Sequence, residues 1–190
     1  FELAPYMEEA RKQLHQETDY EREARYLSRF YELLSGRPNF TLPELIEEWS
    51  TSQVLCMSYV AGTDIERTTH LSQDARNEIA STLITLTLEE LFSFGVMQTD
   101  PNFANYLYDE ATQKVVLLDF GATQEIGSEI VAQYRDLFRA GLRRDIDALQ
   151  AIVQKIGFFT GETKDTHKAQ ITAMIELVFD AITQSESYDF

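Results

Sequence analysis

The sequence predicts an α+β protein in which helices outweigh a few short strands. Apolar residues recur at helical spacing through most of the 190 residues, while short runs rich in Val, Leu, Phe and Tyr are punctuated by Gly, Pro, Asn and Asp. Two acid-bearing motifs flank one such pair of runs, between Gln98 and Gly121.

The first helical pattern extends from about Ala4 to Leu34 and places Glu23 on one face with Asp19, Tyr20, Tyr26, Leu27 and Phe30. A Gly36-Arg37-Pro38 turn ends it, and a strand pair follows, with Phe40 to Leu42 and Val54 to Met57 as its members. The next helix spans about Ser72 to Phe94. Ser72 caps it, Ile79, Leu83, Leu86, Leu91 and Phe94 form its core stripe, and Gly95 stops it. Tyr106 to Tyr108 and Lys114 to Leu118, joined by a polar turn, read as a hairpin. Helices near Glu129 to Leu142, Arg144 to Ile156 and Lys164 to Ile182 complete the pattern.

Composition excludes several classes. A formal charge of −16 argues against nucleic acid, whose phosphates must be met by clustered Lys and Arg. Arg135, Arg139 and Arg143 form the nearest basic stripe and read as a solvated, ion-paired face. A single cysteine, Cys56, rules out an internal disulfide and fits a reducing compartment. His15, His70 and His167 are scattered without metal spacing, which disfavours a zinc site or a His-based triad. No apolar run approaches the roughly 20 residues that span a bilayer.

The chemistry is concentrated in Gln98-Thr99-Asp100-Pro101-Asn102-Phe103-Ala104-Asn105 and Leu118-Asp119-Phe120-Gly121. Phosphoryl transfer asks protein for an acid that orients the attacking oxygen and for hard oxygen ligands that hold Mg²⁺ against phosphates. Asp100 fits the first role; Asn105, five residues later, and Asp119 fit the second. The hairpin between them would return Asp119 to the side of Asn105. Upstream, Val54 to Gly62 resembles a strand running into an adenine-binding hinge. Met57 would guard it, Ser58 and Val60 would offer backbone groups, and Asp64 would reach a ribose hydroxyl. The expected cofactors are therefore ATP and Mg²⁺.

Glu17-x-Asp19-Tyr20-x-x-Glu23-Ala24, Gln98-Thr99-Asp100-Pro101-Asn102 through Asn105, and Leu118-Asp119-Phe120-Gly121-Ala122 together resemble the UbiB family of atypical, protein-kinase-like proteins. The resemblance runs from the first helix to about Asp147. It implies a protein-kinase-like fold, with residues 1–60 as part of an N-lobe (its αC-type helix, strands and hinge) and 61–190 as a helical C-lobe. It implies that Glu23 pairs with a nucleotide-binding Lys, and that Glu17 and Asp19 form the family's acidic signature beside an N-terminal extension covering the cleft. It also implies a role in ubiquinone (coenzyme Q) biosynthesis, with isoprenoid lipid or biosynthetic proteins as partners.

The expected Gly-rich phosphate loop, paired Lys and Lys-x-Gly-Gln element do not occur within this chain, so the intact protein is expected to bind ATP more tightly than this segment. Gln98-Thr99 stands where ordinary protein kinases carry His-Arg, Asn102 replaces their Lys, and no Ala-Pro-Glu element follows Gly121. These departures argue against regulation by loop phosphorylation and against a long protein-substrate platform. The favoured reading is an ATPase or small-molecule phosphotransferase. A nucleotide-gated lipid- or partner-binding module is the alternative, and an aminoglycoside-type phosphotransferase ranks lower because Gln98-Thr99-Asp100 replaces its usual His-Gly-Asp. The expected location is cytoplasmic, peripheral to a bacterial inner membrane through other segments or partners, with the mitochondrial matrix as the alternative.

Overall fold

The computed structural model describes residues 7, 8, 11, 18–100, 102–159 and 163–183. They divide into two compact units, residues 1–125 and 126–190.

Helix α1 covers Tyr20–Leu33, and its start is fixed by Asp19, whose carboxylate accepts from the Arg22 N–H at 2.9 Å. The continuous helix expected from Ala4 is therefore interrupted, because Thr18 and Asp19 leave helical geometry to make the cap. Leu27 and Phe30, one turn apart, turn inward and are buried.

Strands β1 (Phe40–Thr41), β2 (Thr63–Asp64), β4 (Tyr106–Asp109) and β5 (Lys114–Leu117) form one sheet in the order β1-β5-β4-β2. The hairpin forms as expected, with Tyr106 opposite Leu117 and Asp109 opposite Lys114. Asp109 closes its turn by accepting from the Ala111 N–H at 3.0 Å and the Thr112 hydroxyl at 2.6 Å.

The expected strand pair does not form. Val54 to Met57 holds only isolated bridges, Thr51 to Val54 and Leu45 to Met57, and β1 instead lies parallel to β5. Ser50 explains the local geometry, since its hydroxyl accepts from the Cys56 N–H at 3.0 Å and folds 50–56 into a tight loop.

Helix α2 (Gln73–Glu89) is capped by Ser72, which accepts from the Ala75 N–H at 3.2 Å. The expected continuation to Phe94 exists with a different winding: Glu90–Phe94 is a π-helical turn, and Gly95 ends it at φ +67°. Strand β3 (Val96–Gln98) follows and pairs antiparallel with β6 (Thr123–Glu125). The core of this unit joins Leu27, Phe30, Ile79, Leu86, Val96, Val115, Leu117 and Phe120.

The second unit contains α3 (Ser128–Leu142), α4 (Ile146–Ile156) and α5 (Asp165–Thr183). Helix α4 begins two residues later than expected: Arg144 has φ 55°, and Asp145 caps the helix by accepting from the Ala148 N–H at 3.1 Å. Its core is formed by Leu137, Ala140, Leu149, Val153, Phe159 and Phe179. Arg139 pairs with Asp136 at 3.4 Å on an exposed face, as the basic stripe suggested.

Candidate active site

Two short sheets hold the acid-bearing loops together. β3 delivers the chain into Thr99 and Asp100, and its partner β6 receives the chain leaving Gly121, so that Gln98 lies opposite Thr123. Thr99 ties the loops again, its N–H and its hydroxyl both donating to the Ala122 carbonyl, at 3.3 and 2.7 Å. On the other side the hairpin register carries past Tyr106 and Leu117, where the Leu118 N–H donates to the Asn105 carbonyl at 3.1 Å. Asp100, Asn105 and Asp119 are thus fixed by backbone pairing on both flanks.

Asn102 accepts from the Ala104 N–H at 3.0 Å and starts a single 3₁₀ turn over Phe103–Asn105. That turn brings the Asn105 amide nitrogen 3.5 Å from Asp100 Oδ2, and leaves Asn105 Oδ1 without a hydrogen bond among the described residues. Asp119 accepts from the Gly121 N–H at 2.8 Å through Oδ1.

Glu23 approaches this group from α1. A Cβ placed on Gly121 would lie 3.3 Å from Asp119 Oδ1 and 3.7 Å from Glu23 Oε2, so the two carboxylates flank one backbone position. Burial, then repulsion from Asp119, raises the Glu23 pKa, against the lowering effect of the Phe120 N–H. Phe120 is fully buried with its ring 5.1 Å from that of Phe30, which docks the loop on the same helix.

Sequence reasoning missed two residues here. Arg22 donates to the Gly121 carbonyl at 2.5 Å and also to the Thr123 carbonyl, while its guanidinium lies 5.0 Å from the Tyr26 ring centroid. Gln98, read only as a replacement for His, donates to the Asp119 carbonyl and accepts from the Tyr106 hydroxyl at 3.0 Å. A polar residue in an otherwise apolar strand leading into the acid motif was the available signal for Gln98.

The hinge residues occupy other contacts. Met57 bridges to Leu45, the Ser58 hydroxyl accepts from the Glu44 N–H at 2.8 Å, Val60 is half-buried, and Asp64 pairs with Arg67 at 3.0 Å on the surface. Among the described residues none of the four is bonded to Asp100, Asn105 or Asp119. Asp19 serves as the α1 cap, and Glu17 lies outside the described residues.

Among the described residues no three His, Cys, Asp or Glu side chains form a metal cluster. The donor set here is different in kind: one carboxylate and one amide oxygen, hard ligands that leave coordination positions for phosphate oxygens and water, as Mg²⁺ prefers. Burial first, then Glu90, Asp100 and Asp119 through space, raise the Tyr106 pKa, and burial followed by Asp119 raises that of Glu23, so carboxylates from α1 and both loops act on one another's surroundings. Arg22 is directed to backbone carbonyls instead. The residues fit the ion.

The chain is 41% identical over 175 residues to the atypical kinase COQ8B, mitochondrial, of Rattus norvegicus, covering 92% of this chain and 33% of that protein. It is 36% identical over 169 residues to the atypical kinase COQ8, mitochondrial, of Saccharomyces cerevisiae, covering 88% of this chain and 34% of that protein. The chain therefore spans about a third of the length of these relatives. Their names place them in mitochondria, in keeping with the mitochondrial alternative, and no described helix is long and apolar enough to cross a membrane.

The fold is shared with a solved Mycobacterium tuberculosis protein, Rv3197 in complex with erythromycin, at a TM-score of 0.75 and 19% identity, over 96% of this chain and 46% of that one. The family model for the ABC1 atypical kinase-like domain matches residues 1–153, the stretch that holds all three acid-loop residues. By that match, and by the kinase-like loops that the two sheets bring together, the chain belongs to the ABC1 atypical kinase-like family, the group its motifs resemble.

Proposed function

We propose that this chain supplies the metal and nucleophile half of a Mg·ATP site in an atypical kinase, acting as an ATPase or small-molecule phosphotransferase that supports ubiquinone biosynthesis. The observation that carries it is the meeting of the Asp100–Asn105 turn with the Asp119 loop, braced by β3 and β6. Asp119 and the Asn105 amide oxygen would hold the ion, which when bound to ATP supplies charge neutralisation for the transferred phosphate. Asp100, exposed at the loop edge, would orient water or a substrate hydroxyl and accept its proton. Glu23 would meet a cation from the rest of the protein, which its position against Asp119 favours.

The relatives named as mitochondrial make the mitochondrial matrix the better fit for localisation. Membrane association, isoprenoid lipid and biosynthetic-enzyme partners belong to the same reading and would involve segments outside this chain. The roles of Met57, Ser58, Val60 and Asp64 at adenine and ribose are retained as proposals for the nucleotide-bound protein.

The test is Mg²⁺-dependent ATP turnover and nucleotide-induced thermal stabilisation in the full-length protein, Asp119→Asn and Asp100→Asn. The reading expects Asp119→Asn to lose both signals and Asp100→Asn to lose turnover, by roughly 100-fold or more, while keeping stabilisation. Stabilisation without wild-type turnover would replace it with a nucleotide-gated binding module. No nucleotide response in the wild type would remove it.

A further inference from the structure

Glu90 is a carboxylic acid buried in the core unit to 3% exposure, and its Oε1 has no hydrogen-bond partner. It opens the π-helical turn Glu90–Phe94, and widened turns of this kind place a side chain where regular α-helix would not. A Leu or Gln there would satisfy helix and core without the cost of burying an ionisable group, so the acid asks for a reason.

Its surroundings give one. From β3, the Gln98 backbone N–H favours its charged form; from β4, the Tyr106 phenol lies within its field. The same Tyr106 hydroxyl donates to Gln98, and Gln98 donates to the main-chain carbonyl of Asp119. Asp100 and Asp119 act on that phenol from the two loops. Among the described residues no Lys or Arg acts on Glu90.

We infer that Glu90 is a positioning residue for the Asp119 loop: buried in the π-turn, it braces β3 at Gln98, and through Gln98 and its Tyr106 partner the backbone that aims Asp119. An ionised Glu90 would add a buried charge met by a single backbone N–H, beside a phenol already exposed to Asp100 and Asp119. The turn or the loop would then move apart. Burial raises the acid's pKa to about 8, against the lowering effect of the Gln98 backbone N–H.

The inference deepens the proposed function and rests on it for its catalytic meaning, but the loop can be followed without nucleotide. Wild type, Glu90→Gln and Glu90→Ala of the full-length protein would be compared by amide hydrogen exchange of residues 118–123 at pH 6.5 and 9, corrected for intrinsic rates. Glu90→Gln, a neutral isostere, should stay protected at both pH values. Wild type should exchange roughly tenfold faster at the higher pH, and Glu90→Ala at both.

Thermal unfolding checks the sign independently. Native Glu90 keeps a proton that the unfolded chain has lost between about 4.5 and 8, so wild type loses stability relative to Glu90→Gln as pH rises through that window, with no further change above it. Equal protection of this segment in wild type and Glu90→Gln at pH 9, or full protection in Glu90→Ala, would overturn the inference. A wild type without any Mg·ATP response would remove the catalytic reading alone, leaving the loop measurement to decide on Glu90.

Discussion

At the scale of single residues, the site divides into groups proposed to carry the chemistry and groups that hold them in place, and only the first were legible in the sequence. Asp100 and Asn105 sit five apart in one turn, and Asp119 ends the adjoining hairpin, so local geometry alone determines their meeting. Arg22 could not be read this way. It lies between Glu21 and Glu23 in what looks like an ordinary charged face, and its carbonyl partners at Gly121 and Thr123 are 99 and 101 residues away. Such contacts are consequences of the tertiary fold. Arg22→Met should destabilise the protein by about 1–3 kcal/mol in urea unfolding, since two charge-assisted hydrogen bonds are lost from a half-buried position. Arg22→Lys should recover little of this, because one ammonium cannot reproduce a planar fork bridging two carbonyls. Recovery by Lys to wild-type stability would show that charge beside Tyr26, and not the fork, is what matters.

At the scale of elements, caps and periodicity were reliable where local, and failed where pairing was long-range. Ser72 and Gly95 act at or next to the helix ends where the sequence placed them, whereas the caps at Asp19 and Asp145 start their helices later than periodicity alone suggested. The strand expected at Val54 to Met57 failed because the Ser50 hydroxyl captures the Cys56 N–H locally, and β1 found a parallel partner in β5, over 70 residues on by register from Phe40 to Val115. The π-turn was hidden for another reason: Glu90–Phe94, three apolar residues with one acid and one serine, satisfies the 3.6-residue period nearly as well as a wider winding. In the second unit, Gly141 on α3 receives the Phe179 ring of α5 so closely that an added Cβ would stand 2.3 Å from ring carbons. Gly141→Ala should therefore cost about 1–3 kcal/mol through overpacking, although alanine is the better helix former. Pairing it with Phe179→Leu should return part of the loss, a non-additivity measurable by a double-mutant cycle. Simple additivity of the two changes would mean that the ring relaxes elsewhere without cost.

At the scale of the whole molecule, charge is the property that sequence specifies and structure does not alter. Thirty-two acidic residues face sixteen basic ones, giving −16. Pairs such as Asp64–Arg67, Asp136–Arg139 and Asp165–Lys168 do little to offset this, because they are exposed neighbours three residues apart, each worth no more than about 1 kcal/mol. Repulsion is thus spread over the surface, and at the site Asp119 adds to the burial that raises the Glu23 pKa. Two kinds of cation response should follow. Raising NaCl from about 10 to about 150 mM shortens the screening length from roughly 30 to 8 Å, and should raise the melting temperature of wild type and Asp119→Asn alike. MgCl₂ at matched ionic strength should add a further increase in wild type under the proposal that Asp119 and Asn105 hold the ion. Asp119→Asn should lose that increment while keeping the NaCl response, for the substitution removes one ligand charge and leaves the remaining surface charge almost unchanged. An equal Mg²⁺ increment in both proteins would assign the ion to diffuse association with the acidic surface, and would separate the charge of the fold from the charge of its site.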